Sequence, residues 1–215
     1  MKTFNAWDYW PKPQDNQIYS FTYIDPNKTM PNITACFVND PATKSLLYID
    51  FNSAMEWQDT WYMQYRTGFG VAEWRDDYPK GGLFGSRKKV VMDPPIGWGD
   101  VCTIGKSYEN KPKMNPLKSN PPQFSTGTQI VIWESALDKM TLTNGETYFD
   151  IVTMVYQQSW GSKTGGARYY MAKNIGPIAV EWIAPDPNNK GKFITTSRMD
   201  ARFTIVKGTD DSIQH

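Results

Sequence analysis

Two glutamates, Glu73 and Glu181, each stand directly before a tryptophan, at the ends of the stretches Tyr62 to Trp74 and Tyr170 to Trp182. Glycoside hydrolysis asks a protein for little more than two carboxyl groups roughly 5 to 10 Å apart, one as acid and one as base or nucleophile. Carboxylates have this field to themselves. The sequence holds a single histidine, His215, so a Ser-His-Asp or Cys-His system, a histidine general base and a histidine metal site have nothing to work with. Gly81-Gly82-Leu83-Phe84-Gly85 lacks the spacing of a phosphate-binding loop and reads as a turn, which disfavours nucleotide chemistry. No cofactor is implied. If the chain is an enzyme, Glu73 and Glu181 are its catalytic candidates; otherwise it has none. The simpler reading follows from strand alternation, which sends successive side chains to opposite faces, so that each Glu meets solvent where its Trp fills the core. Asp76-Asp77, with Asp59 upstream, is a calcium candidate through loop oxygens, although it lacks the regular alternation of a calcium loop and reads more simply as a solvated turn.

Aromatic residues are the second source of chemistry: 9 Trp, 12 Tyr and 10 Phe make up 14% of the chain. Most must fill a core, but Trp7, Tyr9 and Trp10 in one cluster and Trp57, Trp61 and Tyr65 in another show no core periodicity. Flat rings complement the C–H faces of sugars, and neighbouring Asn, Gln, Asp or Arg supply directed hydrogen bonds. These six are the expected ligand-binding residues, and the expected partner is a carbohydrate or another small amphipathic ligand. With 23 basic and 22 acidic side chains the net charge is +1, so no overall field steers the chain to nucleic acid. No apolar run approaches the ~20 residues of a membrane-spanning helix.

The elements that hold these residues read as strands. The aromatic content favours β structure, while 16 Gly and 15 Pro cut the chain into short segments. Tyr-Met, a central Gly and a terminal Glu-Trp recur at matching positions half a chain apart, the signature of a duplicated unit. Strands are expected at Gln17 to Ile24, Ile33 to Val38, Leu46 to Phe51, Thr60 to Arg66, Phe69 to Trp74 and Arg87 to Met92. Later ones are expected at Ala167 to Met171, Ile178 to Ile183, Lys192 to Thr196 and Arg202 to Val206. Asn144-Gly145 predicts a tight hairpin between Lys139 to Thr143 and Glu146 to Tyr156. Only Ser53 to Gln64 would tolerate a short helix. Gly105 to Gly127, rich in Pro and Lys, reads as a partly mobile loop joining two halves, residues 1–104 and 128–215, of one domain spanning 1–215. Cys36 and Cys102 are either two buried thiols or one disulfide.

Trp7-Asp8-Tyr9-Trp10-Pro11 leading into a first strand, and Tyr169-Tyr170-Met171 followed by Gly176 and Glu181-Trp182, resemble exported bacterial antiparallel β-meander domains. The resemblance implies a secreted, periplasmic or cell-surface location and no particular reaction; the opening residues, Met1 to Asp8, lack the apolar core of a signal peptide. The fold expected is all-β, an antiparallel sandwich or partly open barrel built from two similar meanders. The function expected is non-catalytic ligand binding on an aromatic-lined surface. A carboxylate-pair enzyme acting on glycans and an assembly module that binds another protein are the alternatives.

Overall fold

A computed structural model describes residues 2–78, 88–116, 125–126, 128–160, 163–189 and 193–207. His215 and the Gly81 to Gly85 turn lie outside them. Sixteen strands follow in chain order: β1 (Thr3–Phe4), β2 (Gln17–Ile24), β3 (Ile33–Asp40), β4 (Ser45–Phe51), β5 (Trp57–Arg66), β6 (Gly70–Tyr78), β7 (Lys88–Gly97), β8 (Cys102–Thr103), β9 (Ser107–Asn110), β10 (Lys113–Pro116), β11 (Ser125–Thr126), β12 (Thr128–Thr141), β13 (Thr147–Trp160), β14 (Lys163–Ala172), β15 (Gly176–Pro185) and β16 (Phe193–Lys207). Among the described residues one 3-10 turn, Ala6–Tyr9, interrupts them. β1 pairs with β8, and the rest form one sheet in the order β11-β10-β7-β6-β5-β4-β3-β2-β16-β15-β14-β13-β12-β9. Consecutive strands pair antiparallel in two meanders, β2 to β7 and β12 to β16, joined where β16 lies against β2.

The sheet curls until the ends of its twelve-strand run from β7 to β9 meet, which makes it a nearly closed barrel rather than a sandwich. Asn110 of β9 makes the seam: its Nδ2 donates to the Gly97 carbonyl at 2.8 Å, and its Oδ1 accepts from the Gly97 N–H at 3.0 Å. Trp98 straddles the same gap. Its N–H donates to the Phe69 and Val71 carbonyls, and its own carbonyl accepts from the Trp133 indole at 3.1 Å. Gly70, at φ 66°, approaches Gly99 so closely that a Cβ there would sit 2.0 Å from the Gly99 carbonyl oxygen. β10 and β11 extend beyond β7, so the barrel is partly open.

Residues 2–11 plug one end. Trp10 is 4% exposed, edge-on to Trp98 at 4.7 Å and to Phe37 at 5.9 Å. The Tyr9 hydroxyl donates to Asp150, Phe4 packs edge-on to Trp133, and the Asn174 N–H donates to the Asp8 carbonyl. Such edge-on aromatic packing fills the wide interior that a barrel of this size would otherwise leave open.

Several expectations are corrected. The stretch expected to tolerate a helix holds most of β5, which pairs with β4 on one side and β6 on the other. The two final strands are one, β16, of 15 residues. The Gly105 to Gly127 loop contains β9, which closes the barrel, together with β10 and β11; residues 117–124 and 127 lie outside the described set. The Asn144-Gly145 hairpin forms, with a turn from Leu142 to Glu146 instead of two residues. Cys36 and Cys102 are both free thiols. Tyr62 to Trp74 and Tyr170 to Trp182 both form hairpins, but Arg66 pairs with Gly70 in the first and Ala172 with Gly176 in the second, so their turns fall at different points of the shared pattern.

Replacing Asn110 with Ala removes both seam bonds and strands the polar groups of Gly97. A loss of about 1 to 3 kcal/mol is expected, read as a lower urea midpoint with unchanged slope. An unchanged midpoint would show that the seam is held elsewhere.

Candidate functional site

The inner face of β4 carries Leu46, Tyr48 and Asp50, and that of β5 carries Met63, Trp61 and Asp59 directly opposite, paired in that order. Alternation puts each set of three on one face. On β6 a bulge around Trp74 breaks the alternation, because Met63 faces Glu73 while Tyr62 already faces Arg75. Glu73 and Asp76, three residues apart, therefore share the inner face, whereas Trp74, Arg75 and Asp77 turn outward. Tyr156 of β13, Tyr169 of β14, Val180 and Trp182 of β15 and Tyr23 of β2 complete the opposite wall. Together with Asp50, Asp59 and Trp61 these residues border a cavity of about 710 Å³.

The cavity opens at the barrel end away from the plug, between the β2–β3 and β4–β5 loops. Both loops are built rigidly. Asp25 accepts hydrogen bonds from the N–H groups of Asn27, Thr29 and Met30, and Asn52 accepts from those of Ala54 and Glu56. At the inner end, Tyr48, Trp61 and Tyr169 also border a one-water-sized gap of about 10 Å³ against Trp10 and Trp98, so the cavity stops on an aromatic floor.

Its electrostatics are unusual for a protein interior. Burial drives the Asp50 carboxyl well above the usual carboxylate range, the charge of Asp59 adds to the rise, and the Tyr48 hydroxyl offsets part of it. Burial likewise lifts Asp59 to about 6, against the pull of the Trp61 indole and of Asp50. Glu73 is pushed to about 8 by burial and by the charge of Asp59, with Asp76 offsetting part of the rise as a hydrogen-bond partner. A hydrogen bond between two carboxyl groups needs a proton on one of them, so Asp50–Asp59 and Glu73–Asp76 are proton-sharing pairs. One oxygen each of Asp50, Asp59 and Glu73 is closed off from solvent and accepts from no N–H or hydroxyl group. No ammonium or guanidinium is among the groups that shift these three acids.

Glu73 and Glu181 do not form a pair. Glu73 is 2% exposed inside the barrel, while Glu181 lies between Val180 and Trp182 on the outer face. There it accepts from Arg168 at 2.8 Å, Tyr170 at 2.9 Å and Thr195 at 3.0 Å. Burial alone would raise its pKa, but these donors outweigh burial and hold it below the usual range. Arg168 also binds Glu134, and Arg198 links Glu181 to Asp200, making a cross-strand brace over β12, β14, β15 and β16. The tryptophans reverse the expectation as well: Trp74 is half-buried on the outer face and Trp182 is 36% exposed at the cavity wall. Asp76 and Asp77 sit in a strand and face opposite ways, and Asp77 is taken by Arg75 at 2.6 Å. Two adjacent carboxylates so divided cannot share a calcium ion.

Of the six aromatic candidates, Trp61 lines the cavity. Tyr9 and Trp10 belong to the plug. Trp7 and Tyr65 face each other at 6.4 Å over a separate surface depression of about 360 Å³, where the Tyr65 hydroxyl binds Asp100. The Trp57 indole donates to Thr60 outside the cavity. Sequence reasoning missed Tyr23, Tyr48, Asp50, Tyr156 and Tyr169, and it singled out Asp59 only beside the Asp76-Asp77 calcium candidate. The signal for the acids was present: Asp50 shares the parity of Leu46 and Tyr48, and Asp59 that of Trp61 and Met63.

No family model and no curated protein matches this chain. Among solved structures, a Parabacteroides distasonis protein classed by inference as a lipoprotein aligns over 91% of this chain and 98% of its own, at 10% identity and a TM-score of 0.38. Similarity at that level carries no argument. Among the described residues no helix is long and apolar enough to cross a membrane.

The raised acids set the pH dependence of stability. A carboxyl whose pKa is higher folded than unfolded contributes stability that is present below its unfolded value, near 4, and is lost as pH rises through its folded value. For Asp59 and Glu73 that loss runs to about 6 and about 8. Glu181 and Asp150, held below the usual range, act only at lower pH. Melting is expected to fall by roughly 5 to 10 °C between pH 5 and pH 8, on the order of a few kcal/mol, and Glu73→Gln should flatten the slope. Stability that rises over this interval would contradict the assignment.

Proposed function

We propose that the chain is a non-catalytic binding protein that takes a small ring-bearing amphipathic ligand, a carbohydrate among the eligible classes, into the open end of its barrel. The observation that carries this reading is the cavity of about 710 Å³, which is of ligand size and is walled by Tyr23, Tyr48, Trp61, Tyr156, Tyr169 and Trp182. Ring faces supply stacking area, while Asp50, Asp59 and the rim side chains Asn32, Asn52 and Gln58 supply directed polar contacts. The site lies inside the barrel and not on an outer aromatic surface. A location in the envelope or outside the cell rests on the sequence resemblance alone.

One observation favours a second reading. Asp59 near 6 beside a protonated Asp50 is the kind of pair that transfers protons at neutral pH, so an acid–base enzyme built on Asp50 and Asp59 is the alternative. Glu73 with Glu181 cannot play that part across the barrel wall.

The test is a titration of intrinsic tryptophan fluorescence with mono- and disaccharides and ring-bearing amphiphiles. Trp61→Ala should weaken binding several-fold or more, since an aromatic contact contributes ~0.5 to 1.5 kcal/mol beyond its buried area, whereas Trp57→Ala should leave it unchanged. Equal binding by wild type and Trp61→Ala would remove the cavity from consideration. Turnover of a glycan by the wild type that disappears in Asp59→Asn would establish the enzyme instead.

A further inference from the structure

We propose that the ligand of the barrel cavity is an organic monocation, an amine or quaternary ammonium carried on a flat ring, with its charge at Asp50 and Asp59 and its ring against Trp61, Tyr156 and Tyr169. The inference rests on the cavity being a ligand site. Among the described residues nineteen border the cavity; the charged ones are Asp50 and Asp59, and neither Lys nor Arg is among them. One oxygen of each is closed off from solvent and accepts from no N–H or hydroxyl group. Glu73, 2% exposed and also with an oxygen that accepts from no N–H or hydroxyl group, lies behind the pair and is raised by the charge of Asp59. Asp50 and Asp59 are half-buried at the cavity wall, and an acid desolvated without a counter-ion holds its proton to higher pH, because its charged form is costly in that setting. A cationic ligand would supply the missing counter-ion, and the negative faces of Tyr and Trp rings attract the same cation.

The walls also fix how binding depends on pH. The titratable groups that face the pair are Tyr48 on β4, Tyr23 on β2, Glu73 and Asp76 on β6, Tyr156 on β13 and Tyr169 on β14, with Cys36 of β3 adding a weaker influence from the outer face. Burial raises all four tyrosines and Cys36, so none of them ionises between pH 5 and pH 8. The carboxyls alone change state in that interval. A cation favours their ionised form, so it binds more tightly as pH rises, and the shared proton passes to the buffer.

Calorimetry with tryptamine and with its neutral counterpart indole-3-ethanol tests this, in two buffers of different ionisation enthalpy near pH 5.5 and near pH 8. Tryptamine should bind about tenfold or more tightly than the alcohol near pH 8 and release up to one proton, and most of that preference should vanish near pH 5.5. Asp50→Asn and Asp59→Asn should erase the preference, so that each variant binds tryptamine no more tightly than it binds indole-3-ethanol. Equal affinity for the two compounds, or a preference untouched by both substitutions, overturns the cation and leaves the cavity reading intact. Binding of neither compound overturns both. If the variants fail to fold, the pH dependence and proton release of the wild type decide the matter.

Discussion

A long antiparallel sheet leaves two unpaired edges unless it curls far enough for them to meet, and most of this molecule follows from how that meeting is made. The edges are not a continuous ladder. They are joined by one side chain, Asn110, reading both polar groups of Gly97, and by Trp98, whose backbone reaches β6 on one side and the Trp133 indole on the other. Glycines at 70 and 99 are needed because the chains approach too closely there for any Cβ. Once closed, the sheet has an inside that side chains must fill. The plug led by Trp10 fills one end, and the other end remains a cavity.

That inside is where polarity becomes expensive, and the chain places four acids in it. Strands that supply a full apolar face would have made a tighter and more stable barrel. Instead Asp50 and Asp59 face each other across β4 and β5, and a bulge at Trp74 brings Glu73 and Asp76 onto the same wall. The acids remain folded by holding protons, a state that weakens as pH rises. The brace around Glu181 is the contrasting case: an acid on the outer face, surrounded by Arg168, Tyr170 and Thr195, keeps its charge and contributes to the structure. The same residue type before the same tryptophan thus does opposite work on the two sides of one wall.

The fold was largely legible in the sequence, because Gly, Pro and alternating aromatic residues act locally; β2 appears with the very bounds that its pattern indicated. What failed was long-range. The strand β9 lay hidden in a Lys- and Pro-rich stretch, since its pairing with β12 and its seam with β7 depend on partners remote in sequence. The site was less legible still. Trp57 and Trp61 cluster in sequence and share strand parity, yet a register shift between β4 and β5 at Asp50 and Phe51 leaves Trp57 outside the cavity that Trp61 lines. Glu73 was read as facing solvent because simple alternation was assumed, and a single bulge is enough to invalidate that parity for every residue beyond it. Asp50 and Asp59 could have been found by asking which charged residue shares a face with core aromatics.

The account stands or falls on whether the interior acids hold their protons to well above the ordinary carboxylate range in the folded protein. Side-chain carboxyl carbons, labelled with carbon-13 and followed by NMR through a pH titration, report this residue by residue, with Asp50→Asn and Glu73→Gln supplying the assignments. The structure requires a midpoint near 6 for Asp59, one near 8 for Glu73 and one higher than ordinary for Asp50, with the curves of Asp50 and Asp59 mutually dependent. Independent midpoints near 4 for all three would mean that the acids are solvated and charged, and that the barrel interior is not the environment described.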